Sequence, residues 1–411
     1  MRPFKSTISL DEARRRLDAA VRPIDRRERV GLADAAGRVA AADVVSPIDV
    51  PPFARSAMDG YAVVAADVSR ASKASPARLR VVDRIYTGQP SAIALRSGEC
   101  AEIATGAPLP DGADAVVMVE ETAHAGDDGV DVMAAAAPGQ NVGRRAADIG
   151  RGDRIVGAGD HLTPARVGAL AAVGVTTVEV FAKPRVAILS TGNEVVEPGR
   201  TLAPGQIFDV NRFTVGALVA AHGGVPEPLS AAEDTVDAIV ASLDACASAD
   251  VIVFSGGSSV GERDLVVDAI AKRGEMIFHG IAVRPGKPTA FAKIILTPGV
   301  PSPPTTPFFG MPGNPTSCLS NAYILLVPFL RATARLPPHQ PRRVPLPLAG
   351  RIVSATGRHQ FYTVRIEDGK AVPAFKGSGD ITSLSRADGY IEIPADRDVV
   401  EEATLVDVLL F

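Results

Sequence analysis

Residues 251–254 are all apolar, and a run of glycine and serine follows them directly. A short, wholly apolar segment predicts a strand buried on both faces, as in a parallel sheet. The polar run starts at Ser255 and ends at Asp264, where we predict a helix to begin. Open α/β sheets use a strand, a glycine turn and a helix to bind anions, because glycine N–H groups can approach a ligand. A carboxylate at the end of the run, Asp264, adds a candidate ligand for a divalent cation.

The same alternation of apolar strands and amphipathic helices extends over residues 180–337. It predicts a doubly wound, three-layer α/β central domain whose βα loops gather at the carboxyl edge of the sheet. Within it, Asp234 is predicted to cap a helix with an apolar face, and a helix is predicted to start near Pro315. The proline-rich stretch 298–307 is predicted to be a loop insertion at a hairpin tip. The predicted elements are strands 185–189, 251–254, 275–278 and 289–296, and helices 213–222, from 234, from 264 and from 315.

The regions on either side of the central domain predict shorter helices and strands. Residues 10–21 predict a packing helix, which Ser9 and Glu12 begin as a capping box. Short β-like runs broken by glycine and proline predict a small β domain over residues 51–142, inserted into a mixed N-terminal domain of residues 1–50 and 143–179. Thr163 and Pro164 predict another helix start. Residues 338–411 predict a C-terminal all-β domain, so the chain is a multidomain α/β protein.

Composition excludes several classes of protein. The 411 residues have a net charge of −4, no tryptophan and 5% aromatic residues, which gives no electrostatic or stacking footprint for nucleic acid. Neither an apolar segment long enough for a bilayer nor an apolar leader is visible, so we expect no membrane association. The widely spaced Cys100, Cys246 and Cys318 fit buried thiols in a reducing cytoplasm and exclude a zinc ribbon.

Common catalytic motifs are missing. The sequence Gly286-Lys287-Pro288-Thr289 is similar to the end of a P-loop, but Gly280 is one residue too far away and Pro288 would break the helix start. There is no GxGxxG or HExxH, which argues against a dinucleotide fold and a zinc hydrolase.

The remaining candidates are acids and cations in predicted loops. Taken singly, each acid is typical of a helix cap or a surface ion pair. A functional site is predicted only if several of these loops meet at one edge of the sheet. The set also includes a rigid turn at residues 311–315, with Ser317 behind it. The segments 56–61 and 105–108 of the inserted domain complete it. The charged members are Glu194, Asp234, Asp264, Arg284 and Lys287.

Six motifs in chain order resemble the molybdopterin molybdenumtransferase family, the MoeA type shared with the gephyrin E domain. They are SAMDGYA at 56–62, TGAP at 105–108, STGNEVVEPG at 190–199, GGxSxGxxD at 256–264, PGKP at 285–288 and PGNPTS at 312–317. The resemblance spans nearly the whole chain.

The resemblance implies a Mg²⁺-dependent enzyme that takes adenylylated molybdopterin and molybdate, inserts molybdenum and releases AMP. It implies catalytic or metal-binding roles for Asp59, Thr105, Glu194, Asp234 and Asp264, with Mg²⁺ on Asp264, Asp234 and Glu194. It further implies a cytoplasmic homodimer, in which the inserted domain completes the neighbouring subunit's site, with a molybdopterin adenylyltransferase as a candidate partner for substrate delivery. The residues implied to contact the pterin nucleotide or oxyanion are Gly256, Gly257, Ser258, Arg284, Lys287, Pro312, Asn314, Pro315, Ser317 and Ser383.

This chain departs from the family pattern at Asn193, Ser258, Arg284, Gln360 and Thr363, where relatives often have Asp, Val, Lys, Glu and Arg. The loss of a cation at Thr363 is expected to weaken or reshape the oxyanion site, with Arg358 and Arg365 not expected to reach it, while Ser378 and Ser383 could still line it. Three alternatives therefore stay open: a tungstate-inserting paralogue, a non-catalytic pterin-binding scaffold, and an adenylyltransferase acting one step earlier. The extra domains at both ends disfavour the last.

Overall fold

The computed structural model describes residues 7–229, 235–256, 265–296, 304–354 and 356–411. The chain forms two compact units. The larger comprises Met1–Glu28, Gly37–Val39 and Phe181–Phe411, and the smaller comprises Arg29–Ala36 and Ala40–Val180. The strands Arg27–Gly31 and Thr177–Phe181 lie where the chain passes from one unit to the other.

The larger unit is built on a mixed sheet whose centre is the apolar strand predicted from the sequence, Val251–Ser255. The strands follow the spatial order Val225–Pro228, Arg185–Ser190, Val251–Ser255, Thr305–Met311, Ala290–Ile295 and Gly274–His279. Neighbours among the first four strands pair in parallel, and the last two strands join antiparallel. The four parallel strands therefore share one carboxyl edge.

Helices cover both faces of this sheet because successive strand residues point to opposite sides. On one face, Val251 and Val253 pack with the helices Leu10–Asp18, Asn211–Ala221 and the helical segment after Pro315. On the other face, Ile252 and Phe254 pack with the helices Val236–Asp244 and Leu265–Arg273. The three-layer α/β prediction is confirmed.

The helical segment after Pro315 is wider at its middle than an α-helix. It begins as the α-helix Pro315–Asn321, passes through a π-helical turn at Ala322–Leu326, and continues as the α-helix Val327–Thr333. A π turn takes an extra residue into the helix without ending it. Pro328, which lacks an N–H, follows that turn.

A second sheet in the larger unit forms the predicted C-terminal β structure. Its strands follow the order Val283–Arg284, His359–Glu367, Gly389–Ile393, Leu405–Leu410 and Arg343–Pro347, with Lys370–Pro373 also pairing with His359–Glu367. Ile352–Val353 pairs separately with Val399–Val400, and the short helix Thr382–Ser385 lies between strands in sequence. The strand Val283–Arg284 comes from the sequence predicted for the central domain, yet it pairs in parallel with His359–Glu367.

The smaller unit contains a sheet with the strand order Ala115–Met118, Gly60–Val63, Glu99–Ile103, Ala77–Ile85, Gly129–Val132 and Thr122–His124. Separate pairs join Val142–Gly143 to Arg55–Ser56 and Arg154–Val156 to Val44–Val45. Its helices and helical turns are Leu32–Asp34, Ala65–Val68, Val119–Glu121 and Pro164–Ala172. The last begins as predicted, since the Thr163 hydroxyl accepts a hydrogen bond from the Arg166 N–H at 3.4 Å. The N-terminal helix of the larger unit is likewise capped by Ser9, whose hydroxyl accepts from the Glu12 N–H at 3.2 Å.

Several local predictions need correction. The hydroxyl of Thr235 caps the helix Val236–Asp244 by accepting from the Ala238 N–H at 3.2 Å, and the predicted cap Asp234 lies outside the described residues. Residues 305–307 of the predicted loop belong to the strand Thr305–Met311. Lys287 lies between two antiparallel strands rather than in a βα loop. No helix in the described ranges is both long and apolar enough to cross a membrane.

Candidate functional site

Three parallel strands of the central sheet end side by side. Ser190 pairs with Ser255, and Ser255 pairs with Met311. The hydroxyls of Ser190 and Ser255 lie 3.4 Å apart. The loops that follow these three strand ends therefore open at the same edge of the sheet, where open α/β folds bind ligands.

A cavity of about 1110 Å³ lies at this edge. It is open to solvent, and its lining comes from the central sheet, from the helix that begins at Asn211 and from the C-terminal β structure. Its polar and charged lining includes Thr191, Glu194, Asp209, Asn211, Ser255, Arg284, Lys287, Asn314, Ser317, Arg358, Lys376 and Ser378.

Close backbone packing shapes one side of the cavity. Gly256 has φ +111°, and a Cβ on it would lie 2.4 Å from the Thr191 carbonyl oxygen. A Cβ added to Gly313 would in turn lie 3.6 Å from the Gly256 Cα. Only glycine fits such a conformation at such a distance. We call residues 190–194, 255–256 and 312–314 the strand-end wall.

This wall carries acidic oxygens. A Cβ on Gly192 would lie 2.8 Å from both carboxylate oxygens of Glu194, so the Glu194 side chain folds back over its own turn. Asp209, which the sequence analysis did not single out, is 5% exposed and lines the cavity beside Glu194. Its Oδ1 accepts from the Arg212 N–H at 3.1 Å, and its Oδ2 lies 3.5 Å from Arg212 Nε.

Asn211 also lines the cavity and was missed. Its Nδ2 donates to the Gly313 carbonyl at 2.8 Å, which ties the helix start to the rigid turn of the PGNPTS motif. The sequence signal was weak, because a short polar pair ahead of a helix is typical of capping. The neighbouring Cys318 is not a nucleophile, since burial raises the pKa of its thiol to about 12 and Asp209 adds to the effect.

Four cationic side chains among the described lining residues form what we call the cation wall: Arg284, Lys287, Arg358 and Lys376. Arg284 and Lys287 lie on the segment between strands Gly274–His279 and Ala290–Ile295. Arg358 and Lys376 come from the C-terminal β structure. Residues more than seventy positions apart in the sequence thus face one cavity.

The C-terminal segment that carries Lys376 is fixed to the PGNPTS turn. Asn314 Nδ2 donates to the Ser378 hydroxyl at 3.0 Å. The Thr316 N–H donates to the Ser378 carbonyl at 3.1 Å, and its hydroxyl donates to the Asp380 carbonyl at 2.8 Å. The two domains of the larger unit therefore share hydrogen bonds at the rim of the cavity.

The predicted site residues divide into groups. Those that line the cavity are Glu194, Gly256, Arg284, Lys287, Pro312, Asn314, Pro315, Ser317 and Ser378. Ser383 is fully buried instead, and its hydroxyl accepts from the Lys376 N–H at 3.0 Å, so it supports the loop from beneath. Asp234, Gly257, Ser258 and Asp264 lie outside the described residues.

The positions that depart from the family pattern are not equivalent. Thr363 and Gln360 are buried within the strand His359–Glu367, and Gln360 Oε1 accepts from the Ser354 hydroxyl at 2.7 Å. Arg358 lines the cavity, so the C-terminal β structure presents a cation there although Thr363 does not. Arg365 pairs with Glu367 at 3.0 Å. A turn residue next to a strand reaches the cavity, whereas residues inside the strand point into the domain core.

Asp59 and Thr105 lie together on the smaller unit. Asp59 Oδ1 accepts from the Thr105 N–H at 2.7 Å and from the Thr105 hydroxyl at 2.9 Å. These two hydrogen bonds hold the pKa of the Asp59 carboxyl below its ordinary value. Both residues are exposed, and the ionised carboxylate is fixed in one orientation.

Comparisons with known proteins agree along the whole chain. Residues 8–174 match the model of the MoeA N-terminal region (domains I and II), residues 187–332 that of a probable molybdopterin binding domain, and residues 345–411 that of the MoeA C-terminal region (domain IV). The chain is 32% identical to a molybdopterin molybdenumtransferase of Haemophilus influenzae, covering 98% of each chain. It is 36% identical to molybdopterin molybdenumtransferase 2 of Mycobacterium tuberculosis, covering 93% of each.

A solved structure shows the same architecture. The molybdopterin biosynthesis MoeA protein from Pyrococcus horikosii superposes with a TM-score of 0.84 at 38% identity, over 98% of this chain and 99% of that one. The six ordered motifs, the cavity at the sheet edge and these relatives agree. The chain belongs to the molybdopterin molybdenumtransferase family, and it is a transferase of molybdenum cofactor biosynthesis.

Proposed function

We propose that this protein inserts molybdenum from molybdate into adenylylated molybdopterin with release of AMP, in a Mg²⁺-dependent reaction. The observation that carries the proposal is the cavity in which the cation wall faces acidic and backbone groups at the carboxyl edge of the sheet. Adenylylated molybdopterin is polyanionic and molybdate is a dianion, so both require cations or N–H groups as partners.

The two kinds of cation suit two kinds of contact. Arg284 and Arg358 carry planar guanidinium groups, which bind tetrahedral oxyanions and phosphates through paired hydrogen bonds. Lys287 and Lys376 carry compact charges that can follow an anion as it changes position. Together they would hold phosphate and molybdate in one cavity, which lowers the entropic cost of bringing two substrates together.

The donors in the cavity fit magnesium. Mg²⁺ prefers carboxylate and water oxygens and uses one or two carboxylates from a protein. Glu194 supplies an exposed carboxylate on the strand-end wall, and Asp209 a buried one. No cluster of three or more metal-ligating side chains occurs within the described residues, so Asp234 and Asp264 remain predicted additional ligands. Bound Mg²⁺ would supply charge neutralisation at the phosphates when AMP leaves.

We further infer a homodimer in which Asp59 and Thr105 of one subunit complete the cavity of the partner. The exposed, hydrogen-bonded pair supports this role, because an oriented carboxylate at a surface is suited to a shared site. Mixing an inactive Asp59→Asn variant with an inactive Lys287→Ala variant tests it. Random exchange into heterodimers would restore about a quarter of wild-type activity, because half of the dimers would each carry one intact site. No recovery after verified subunit exchange would refute the shared site.

The test of the reaction itself is AMP release. Purified protein with adenylylated molybdopterin, Mg²⁺ and molybdate is expected to release AMP, and omission of Mg²⁺ is expected to stop it. A folded protein that releases no AMP under these conditions would refute the proposal. Replacing molybdate by tungstate in a parallel reaction determines which oxyanion is preferred.

The same assay separates the other candidates. A scaffold would bind the pterin without turnover, and an adenylyltransferase would consume ATP and unmodified molybdopterin. The scaffold hypothesis rests on Gln360 and Thr363, but both residues are buried in a strand and Arg358 supplies a cation to the cavity. The geometry therefore favours turnover.

A further inference from the structure

We propose that Asn321 is a positioning residue that fixes Arg284 and Lys287 in the cavity and thereby sets the affinity for the oxyanion. Its role for the oxyanion rests on the proposed function above. Asn321 is fully buried at the end of the α-helix Pro315–Asn321, below the cavity lining. It was not singled out by any sequence pattern.

The side-chain amide of Asn321 hydrogen-bonds to residues 284–289, which we call the loop. Its Nδ2 donates to the Gly286 carbonyl at 2.8 Å and also to the Thr289 hydroxyl. The Thr289 hydroxyl in turn donates to the same Gly286 carbonyl at 2.8 Å. Thr289 is fully buried as well, so water does not compete for these contacts. The hydrogen bonds of the Asn321 side chain all come from Nδ2, since Asn321 Oδ1 has no hydrogen-bond partner among the described residues. Buried hydrogen bonds of this kind hold the backbone in one local geometry.

The loop is shaped around this side chain. Gly286 has φ +99°, and a Cβ on it would lie 2.2 Å from Asn321 Nδ2. Glycine is therefore required at position 286 both for the backbone conformation and for the space that the Asn321 amide occupies. Gly286 lies between Arg284 and Lys287 in sequence. The hydrogen bond from Asn321 therefore holds the backbone between the two cations.

Other contacts hold the two ends of the loop. The strand Val283–Arg284 pairs with His359 and Gln360 at one end. At the other end, the Lys287 carbonyl accepts from the N–H groups of Ile281 and Thr289 at 3.0 and 2.9 Å. The Gly286 carbonyl accepts from Asn321 Nδ2, which joins the turn to the helix under it, and from the Thr289 hydroxyl within the turn.

Two substitutions of Asn321 distinguish the effect of its hydrogen-bond donor from the effect of its size. Asn321→Asp keeps the size of the side chain but replaces the donating amide with an oxygen, and Asn321→Ala removes the contact. Ser320→Ala is the matched control, because Ser320 is equally buried on the same helix and its hydroxyl has no hydrogen-bond partner among the described residues. Thermal unfolding of each variant establishes that it is folded.

The first measurement does not depend on activity. In both Asn321 variants, hydrogen exchange at the amides of Lys287 and Thr289 is expected to accelerate by about ten-fold, since each lost buried hydrogen bond weakens closure of the loop. Ser320→Ala is expected to exchange like the wild type. If the Asn321 variants also exchange like the wild type, the positioning role is refuted.

The second measurement concerns the anion. Titration with inorganic molybdate is expected to show about ten-fold weaker binding in the Asn321 variants, and in the AMP-release assay KM for molybdate is expected to rise with kcat within about two-fold. Unchanged molybdate affinity together with faster loop exchange would refute the effect on the oxyanion. A wild-type enzyme that releases no AMP would refute the proposed function alone, because loop exchange and molybdate titration still decide the role of Asn321.

Discussion

The two walls of the cavity are built by different means. The strand-end wall follows from the regular geometry of the sheet: strands end in register, Gly256 packs against Thr191, and Glu194 folds over its own turn. The cation wall depends on contacts between distant segments, such as Asn321 with Gly286 and Thr316 with Ser378. The difference teaches that one cavity can join a half that follows from strand periodicity to a half that depends on individual side-chain contacts. We therefore expect damage to the first wall to affect stability and damage to the second to affect substrate affinity and rate.

The largest expected effect is on the cation wall. Lys287→Ala should reduce AMP release by about 100-fold or more, because a fixed cation aimed at developing negative charge is a major source of rate enhancement. Lys370→Ala, an exposed lysine on the strand Lys370–Pro373, should leave the rate unchanged. The measurement is steady-state AMP release with both substrates varied. Equal rates for the two variants would show that Lys287 does not contact the reacting groups.

The strand-end wall should respond in stability. Gly256→Ala is expected to lower the free energy of unfolding by roughly 2–3 kcal/mol, because its Cβ would overlap the Thr191 carbonyl at an unfavourable φ. Gly350→Ala is the control, since an added Cβ there meets nothing within 4 Å. Urea unfolding of both variants gives the comparison. A Gly256→Ala protein as stable as the control would contradict the close packing of this wall.

Arg358 tests whether the C-terminal structure contributes to the cation wall. Arg358→Ala should raise KM for molybdate by about ten-fold, the loss expected from one charged hydrogen bond. Arg365→Ala, which removes the partner of Glu367, should not change it. If both variants bind molybdate like the wild type, the cation wall is confined to the segment around Lys287.

The smallest effect is expected beneath the cation wall. Ser383→Ala leaves the Lys376 N–H without its acceptor and should cost about 1 kcal/mol of unfolding free energy, with a smaller change in KM than for Arg358→Ala. Ser385→Ala on the same short helix is exposed and should be neutral. Chemical denaturation distinguishes the two. A Ser383 variant as stable as Ser385→Ala would mean that the loop is held by its other contacts.

The difference between the two walls also explains which features could be predicted from the sequence. Periodicity and glycine position predicted the strand Val251–Ser255, the α/β layers and the cavity at the carboxyl edge, because these depend on local rules. Thr235 replaced Asp234 as a cap, since adjacent residues that can both cap a helix are indistinguishable in sequence.

The roles of Asn211, Asn321 and Arg358 could not be predicted. A buried asparagine has no periodic signature, and its partners are fixed only when distant segments pack. Arg358 was underestimated because its position in a turn, one residue before the strand His359–Glu367, decides whether its side chain leaves the core. Motifs located the loops of the site, but not the buried side chains that hold those loops.

The π-helical turn Ala322–Leu326 constrains how this chain can change length. Deletion of one residue there would convert the turn to α-helix and rotate the segment after it by about 100° relative to Asn321. Either the amide would leave Gly286 or the apolar residues of Val327–Thr333 would leave the sheet. The extra residue thus sets the helical rotation at which Asn321 reaches Gly286 while the apolar residues of Val327–Thr333 pack on the sheet. Gene variants that lose a codon in this turn should therefore be rare.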